Sequence, residues 1–230
     1  MGNETPRVVR GRVELIVDHE GKELPFIHPS QGPHNYQTVG RSILSRNLKI
    51  PTGDQTASLI YAAYNSEEPE FKEVRGIMHD NWVWVYNRNL WTPDGVYVVQ
   101  DPNAVGTSEE LTQKELESRL EGGESVGNVR FSKDRTVRFA LKGNYRLGEH
   151  TPESLAEDGF MIASYSVDGA RKLSEISTKP DFKNKSPYIW GVDNPKEPVQ
   201  RVSALDSSVG DGLYVDGNDH GDTGGYAFGV

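Results

Sequence analysis

Asp211, Asp219, His220 and Asp222 crowd into one short stretch of the 230-residue sequence, and a histidine among carboxylates can serve acid–base chemistry or hold a metal. Within that stretch, Asp216-Gly217-Asn218-Asp219-His220-Gly221 has the acid, amide and glycine of a calcium loop at its first, third and sixth places. Such a loop also needs an oxygen ligand at the fifth place and Glu at the twelfth, where His220 and Ala227 stand, so it is rejected. Asp211, Asp219 and Asp222 could gather only an adventitious cation. The six histidines, at 19, 28, 34, 79, 150 and 220, show no metal-ligand spacing. There is no cysteine, which removes thiolate zinc sites, cysteine nucleophiles and disulfides. Neither a serine elbow nor a phosphate-cradling glycine loop is present. The expectation is therefore no cofactor, no metal and no catalysis, with an enzyme built on Asp211, Asp219, His220 and Asp222 as the rival.

The stretch holding these residues is unusual as a whole. Glu, Lys, Gln, Met and Trp supply 43 of the first 202 residues and none of the last 28, Ser203 to Val230. At the earlier frequency, roughly six would fall there. The segment instead lays Gly, Asp, Ser, Asn, His, Tyr and Thr over a sparse apolar frame: Leu205, Leu213, Val215, Phe228 and Val230. Regular anchors under polar residues mark a displayed surface rather than a disordered tail. In Gly212–Gly217, strand alternation puts Leu213 and Val215 on one side and Tyr214 and Asp216 on the other. Seven glycines allow tight turns at little steric cost. Tyr226 shares parity with Phe228 and faces outward only if Gly224-Gly225 introduces a bulge. A solvated loop without a partner is the plain alternative.

The net charge is −9, and the tail carries five Asp with no Lys or Arg. A partner is then neutral or basic, and nucleic acid is excluded for want of a basic stripe. No run approaches a membrane span, and the N-terminal MGNETPRVVRGRVEL lacks the apolar stretch of a secretory signal, so a soluble chain is expected.

These residues need a scaffold, and the pattern predicts an α+β one. A strand is expected over 7–17, a loop through Arg46 with Pro25, Pro29 and Pro33, and a helix over Thr52–Asn65 capped by Thr52 or Asp54. Residues 73–100 predict a strand meander with turns at His79-Asp80-Asn81 and Pro93-Asp94-Gly95. Thr107 to Glu110 fits a capping box for a helix ending at Gly122-Gly123. A hairpin is expected around Lys133-Asp134, a short helix after Thr151-Pro152, a strand over 160–166 and a helix over 167–177. Mixed elements without a βαβ rhythm give a single α+β domain over 1–230 with an N-terminal elaboration. Trp82, Trp84, Trp91 and Trp190 are expected in the core.

From Ser186 onward the sequence resembles the variable proteins of diversity-generating retroelements, archaeal type. Tyr188-Ile189-Trp190, Glu197-Pro198-Val199 leading into Arg201-Val202, and the closing Ala227-Phe228-Gly229-Val230 carry the resemblance, which covers about the last fifth of the chain. It implies a C-type-lectin fold with short twisted antiparallel strands and a few helices. It also implies that a reverse transcriptase copies a template so that its adenines become any base. An AAC or AAT codon randomised in this way keeps its final pyrimidine, and Glu, Lys, Gln, Met and Trp have no codon ending in a pyrimidine. Their absence after Val202 is what that origin produces. Residues 203–230 would then be the variable region. The ligand-facing set is Asp206, Ser208, Val209, Asp211, Tyr214, Asp216, Asn218, Asp219, His220, Asp222, Thr223 and Tyr226. The scaffold anchors are Trp190, Leu205, Leu213, Val215, Phe228 and Val230. The partner expected is a protein or other surface macromolecule. Glu197-Pro198 also resembles the start of the calcium and sugar motif of C-type lectins, but Val199 stands where its amide ligand belongs; a calcium-dependent sugar binder is a second alternative.

Overall fold

The structure is a computed structural model; it describes the backbone of residues 7–9, and residues 13–207 and 212–230. β-Branched residues give β1 (Arg7–Val9) and β2 (Glu14–His19) where strand was expected. The expected loop after them is instead β3 (Lys22–His34) followed by α1 (Tyr36–Ser45). Its prolines gave the wrong signal. Pro29 and Gly32-Pro33 sit where β3 slips register against β13 (Gly225–Gly229), between the pairs Ile27↔Gly229, Gln31↔Ala227 and His34↔Gly225. A residue held out in a bulge owes no ladder hydrogen bond, so proline fits there. Asn35 then caps α1, its Oδ1 accepting from Thr38 N at 2.9 Å.

α2 (Gly53–Ala63) starts as expected, with Thr52 and Gln55 closing a reciprocal capping box. Residues 73–80 belong to α3 (Pro69–Asp80), not to the strand meander: Pro69 opens it, and Phe71, Val74 and Met78 are buried at helical spacing. His79 and Asp80 are its last turn. The rest of the meander is β4 (Trp82–Thr92) and β5 (Gly95–Gln100), paired as a hairpin. α4 (Gln113–Leu120) ends before Gly122-Gly123 as expected but does not start at Thr107. Residues 106–108 make only a 3-10 turn, and Leu111 N donates to Gln200 Oε1 at 2.9 Å, which keeps the chain extended up to Thr112. β6 (Glu124–Val126) precedes the expected hairpin of β7 (Val129–Phe131) and β8 (Val137–Leu141). β9 (Gly148–Glu149) leads to α5 (Pro152–Ala156), capped by Thr151.

Residues 160–166, expected as a strand, form the first half of α6 (Gly159–Ser177). Asp158 caps it by accepting from Phe160 N and Met161 N, and the helix breaks at Ser166, where φ is 64°. A short apolar run carries no period that separates buried helix from strand. β10 (Tyr188–Trp190), β11 (Val199–Asp206) and β12 (Tyr214–Asp219) complete the set.

The strands build one mixed sheet in the order β1-β2-β3-β13-β4-β11-β12-β10-β9, with β5, β8, β7 and β6 branching from β4. Helices lie on both faces, and the class is α+β. Residues of α2, α3 and α6 form one core with Val83, Val85, Trp91, Ile189, Leu205, Val215 and Phe228. On the opposite face, Tyr36, Val39 and Ile43 of α1 pack on Trp84, Tyr86, Val202, Ala204 and Ala227. Leu116 and Leu120 of α4 cover Leu90, Tyr97, Val99, Val137 and Phe139. Among the described residues, no helix is long and apolar enough to cross a membrane.

Candidate ligand-binding surface

β12 is fixed from below. The Gly217 carbonyl accepts from Trp91 Nε1 at 2.9 Å and from Asn89 Nδ2 at 3.0 Å, and a Cβ at Gly217 would stand 2.4 Å from the Phe160 ring. Gly225 and Gly229 are wedged in the same way: a Cβ would lie 2.7 Å from Trp84 Nε1 in one case and 2.8 Å from Ile43 in the other. These glycines permit close strand packing rather than the turns expected of them; Gly221, at φ 80°, does serve a turn. Leu205, Leu213, Val215 and Phe228 are buried beneath the segment. Val230 is half-buried and exchanges backbone hydrogen bonds with Lys49 at 2.8 and 3.0 Å.

Tyr214 and Asp216 are half-buried on the side opposite Val215, as alternation requires. Beyond Asp216 burial keeps alternating, but the pairing with β11 slips. Ala204 pairs with Asp216 but Val202 pairs with Asp219, so β12 carries one extra residue. Within that bulge Asn218 N donates to Asp216 Oδ1 at 2.6 Å, and Arg201 Nε donates to Asn218 Oδ1 at 3.1 Å. Asp219 is turned inward and only 6% exposed, its Oδ1 accepting from Gly221 N at 2.5 Å. Asp206, also 6% exposed, closes β11 opposite Tyr214. Both were expected to face a ligand and both are buried: Asp219 falls in the buried set of β12 with Val215 and Gly217, and Asp206 closes its strand. Ser208, Val209 and Asp211 lie outside the described residues. His220, Asp222 and Thr223 are exposed on the connection that crosses toward β13. That connection is tied down where Tyr36 N donates to the Gly221 carbonyl at 3.1 Å, over Tyr36 and Val202. It therefore lies on the side of the sheet that carries Ala204 and Asp216. Tyr226 is half-buried beside Gly32; the register slip expected at Gly224-Gly225 falls on the opposing strand instead.

Trp190, expected as a buried anchor, is 46% exposed. β10 alternates, burying Ile189 and turning Tyr188 and Trp190 the other way; the period-two signal in Tyr-Ile-Trp could have shown this. β10 runs parallel to β12 with Tyr188 opposite Tyr214 and Trp190 opposite Asp216. The Tyr188 ring centre lies 4.5 Å from that of Trp190 and 6.2 Å from that of Tyr214. Burial pushes the Asp216 carboxyl up to about 7, and repulsion from Asp219 and Asp206 adds to it against the hydrogen bond from Asn218. Asp219 is raised as well, chiefly by burial.

The residues of the enzyme alternative are not presented together, since Asp219 points inward while His220 and Asp222 are exposed. Elsewhere, ligand atoms of His19, Glu20 and Asp54 lie within 4.8 Å of one another. Arg138 Nη2 stands 3.8 Å from Asp54 Oδ1, so a cation already faces that cluster, while Lys172, which donates to the Ser58 beside His19, is paired with Asp168 at 2.8 Å. A cleft of about 420 Å³ between residues 142–147 and 192–195 contains none of the tail residues.

No family model matches the chain, and no curated protein matches it. The chain is similar to a solved structure described as the "Accommodation of massive sequence variation in Nanoarchaeota by the C-type lectin fold". The two are 16% identical, with 87% of this chain and 95% of that chain covered and a TM-score of 0.49.

Proposed function

We propose that this is a non-enzymatic ligand-binding protein of C-type-lectin-like fold whose C-terminal surface is diversified by template-directed adenine mutagenesis of a retroelement. The observation that carries this reading is the coincidence of two independent patterns in residues 203–230. Five residue types that cannot arise from randomised AAC or AAT codons are missing there. Leu205, Leu213, Val215 and Phe228 of the same segment are buried, while Tyr214, Asp216, Asn218, His220, Asp222, Thr223 and Tyr226 keep solvent-accessible side chains. A binding surface that must change without unfolding the protein needs that division of labour, and Tyr, Asn, Asp and His are adaptable recognition groups. The ligand is a macromolecular surface rather than a small molecule in a pit, because the accessible residues are spread along a strand and its following turn. Sequencing the locus tests the reading. A near-copy of the segment encoding Ser203–Val230, differing from it at adenines and lying beside a reverse-transcriptase gene, is expected; a locus without that copy removes the mechanism.

A further inference from the structure

Half of the candidate face lies outside Ser203–Val230. Glu149 of β9 pairs with Tyr188 of β10, which pairs with Tyr214 of β12; one row along, Trp190 pairs with Asp216. Register partners on neighbouring strands point to one side and stand about 4.8 Å apart. The rings therefore have the exposed carboxylate of Glu149 on one flank and the half-buried carboxylate of Asp216 on the other. Resting on the reading of this face as a recognition surface, we propose that it docks an arginine or lysine side chain of a protein partner. The fixed pair Tyr188 and Trp190 sets that preference whatever the neighbouring tail residues become.

Charge and geometry choose this occupant. A guanidinium laid on an exposed indole meets the negative face of the ring, and a flanking carboxylate can accept its hydrogen bonds at the same time. The chain is acidic overall and its tail has no Lys or Arg to occupy the face from within. A neutral sugar could stack on Trp190 but would desolvate the carboxylates without a counter-charge, and an acidic segment would be repelled.

A fluorescein-labelled tetra-arginine peptide, a labelled tetra-glutamate peptide and unlabelled cellotetraose as competitor, titrated with the full chain at low salt and read by anisotropy, test it. Tetra-arginine should bind, Trp190→Ala should weaken it at least about five-fold, and Glu149→Gln about two-fold, a scale set by cation–π and exposed ion-pair energies. Tetra-glutamate binding as tightly, displacement by cellotetraose, or an unchanged affinity in Trp190→Ala overturns the proposal; circular dichroism of that variant verifies that its fold is kept. A library randomised at Tyr214 and Asn218 separates this inference from the one beneath it. Members that fold but show no preference for tetra-arginine sink the fixed cation site and leave display standing. Members that do not fold sink the display reading itself.

Discussion

Adding one methyl group at Gly217 tests whether the tail is held by the lattice described above. The new Cβ would stand 2.4 Å from Phe160 Cζ and 3.0 Å from both Phe160 Cε1 and Trp91 Cζ2. Both rings are fully buried, with centres 5.1 Å apart, and Trp91 is tethered through its indole N–H to the carbonyl of the same residue 217. Neither ring can swing away without opening that bond or a void. Overpacking of this kind costs about 1–3 kcal/mol and a strained hydrogen bond about 1 kcal/mol, against about 0.4–1 kcal/mol returned by the stiffer unfolded chain. The net loss for Gly217→Ala is then about 1–3.5 kcal/mol, centred near 2, or about 4–8 °C in melting temperature at that centre for a chain of this length. Gly224→Ala is the control, because a Cβ there meets only Pro33, at 3.8 Å; it should fall within about 0.5 kcal/mol of the parent. Urea unfolding and thermal melts followed by circular dichroism give both numbers. A Gly217→Ala protein melting within about 2 °C of the parent, or a Gly224→Ala protein that loses more, would refute the claim that close approach fixes residue 217.

Leu213→Asp places a charge at a fully buried site and should cost more than about 4 kcal/mol, leaving no cooperative melt, whereas Tyr214→Ser should stay within about 1 kcal/mol by the same measurement. Asp216→Asn should stabilise the protein more at pH 8 than at pH 5. The folded carboxyl titrates at about 7 against an ordinary 3.8, so between those values the folded state holds more protons and the parent loses stability as pH rises. The ceiling is about 4 kcal/mol; the side chain is partly solvated, which brings the expected gain to about 1–2 kcal/mol, and urea unfolding at the two pH values that gives equal differences removes it. Thr52→Ala opens the capping box of α2 and should cost about 1 kcal/mol in the same denaturant titration, with Thr52→Ser nearly neutral.

Local chemistry was legible where one interaction dominates. Thr52 and Thr151 cap their helices, Gly122-Gly123 stops α4, and Leu213 and Val215 alternate inward as their spacing requires. What escaped depends on partners distant in sequence. Pro29 and Pro33 look like loop residues until β13, nearly two hundred residues later, supplies a strand with bulges beside them. Residues 160–166 are apolar throughout, so only their packing makes them helical. In the candidate face, Asp219 was misplaced although its parity with Leu213 and Val215 marks it as buried, because its charge suggested exposure, and Asp206 is buried at the end of β11, where charge alone gave the same wrong signal. Trp190 was misplaced by composition: a tryptophan suggests core, yet its strand partner Ile189 is the buried one.

β13 sits between β3 and β4, antiparallel to one and parallel to the other, although it belongs to the segment proposed to vary. The two halves of the sheet consequently meet through residues 225–229. A copying error that shifts the reading frame in the preceding codons would remove the bridge, and the chain could not close its sheet. Under the proposed mutagenesis, faulty copies would go to proteolysis instead of being presented, so folding itself would act as its proofreader.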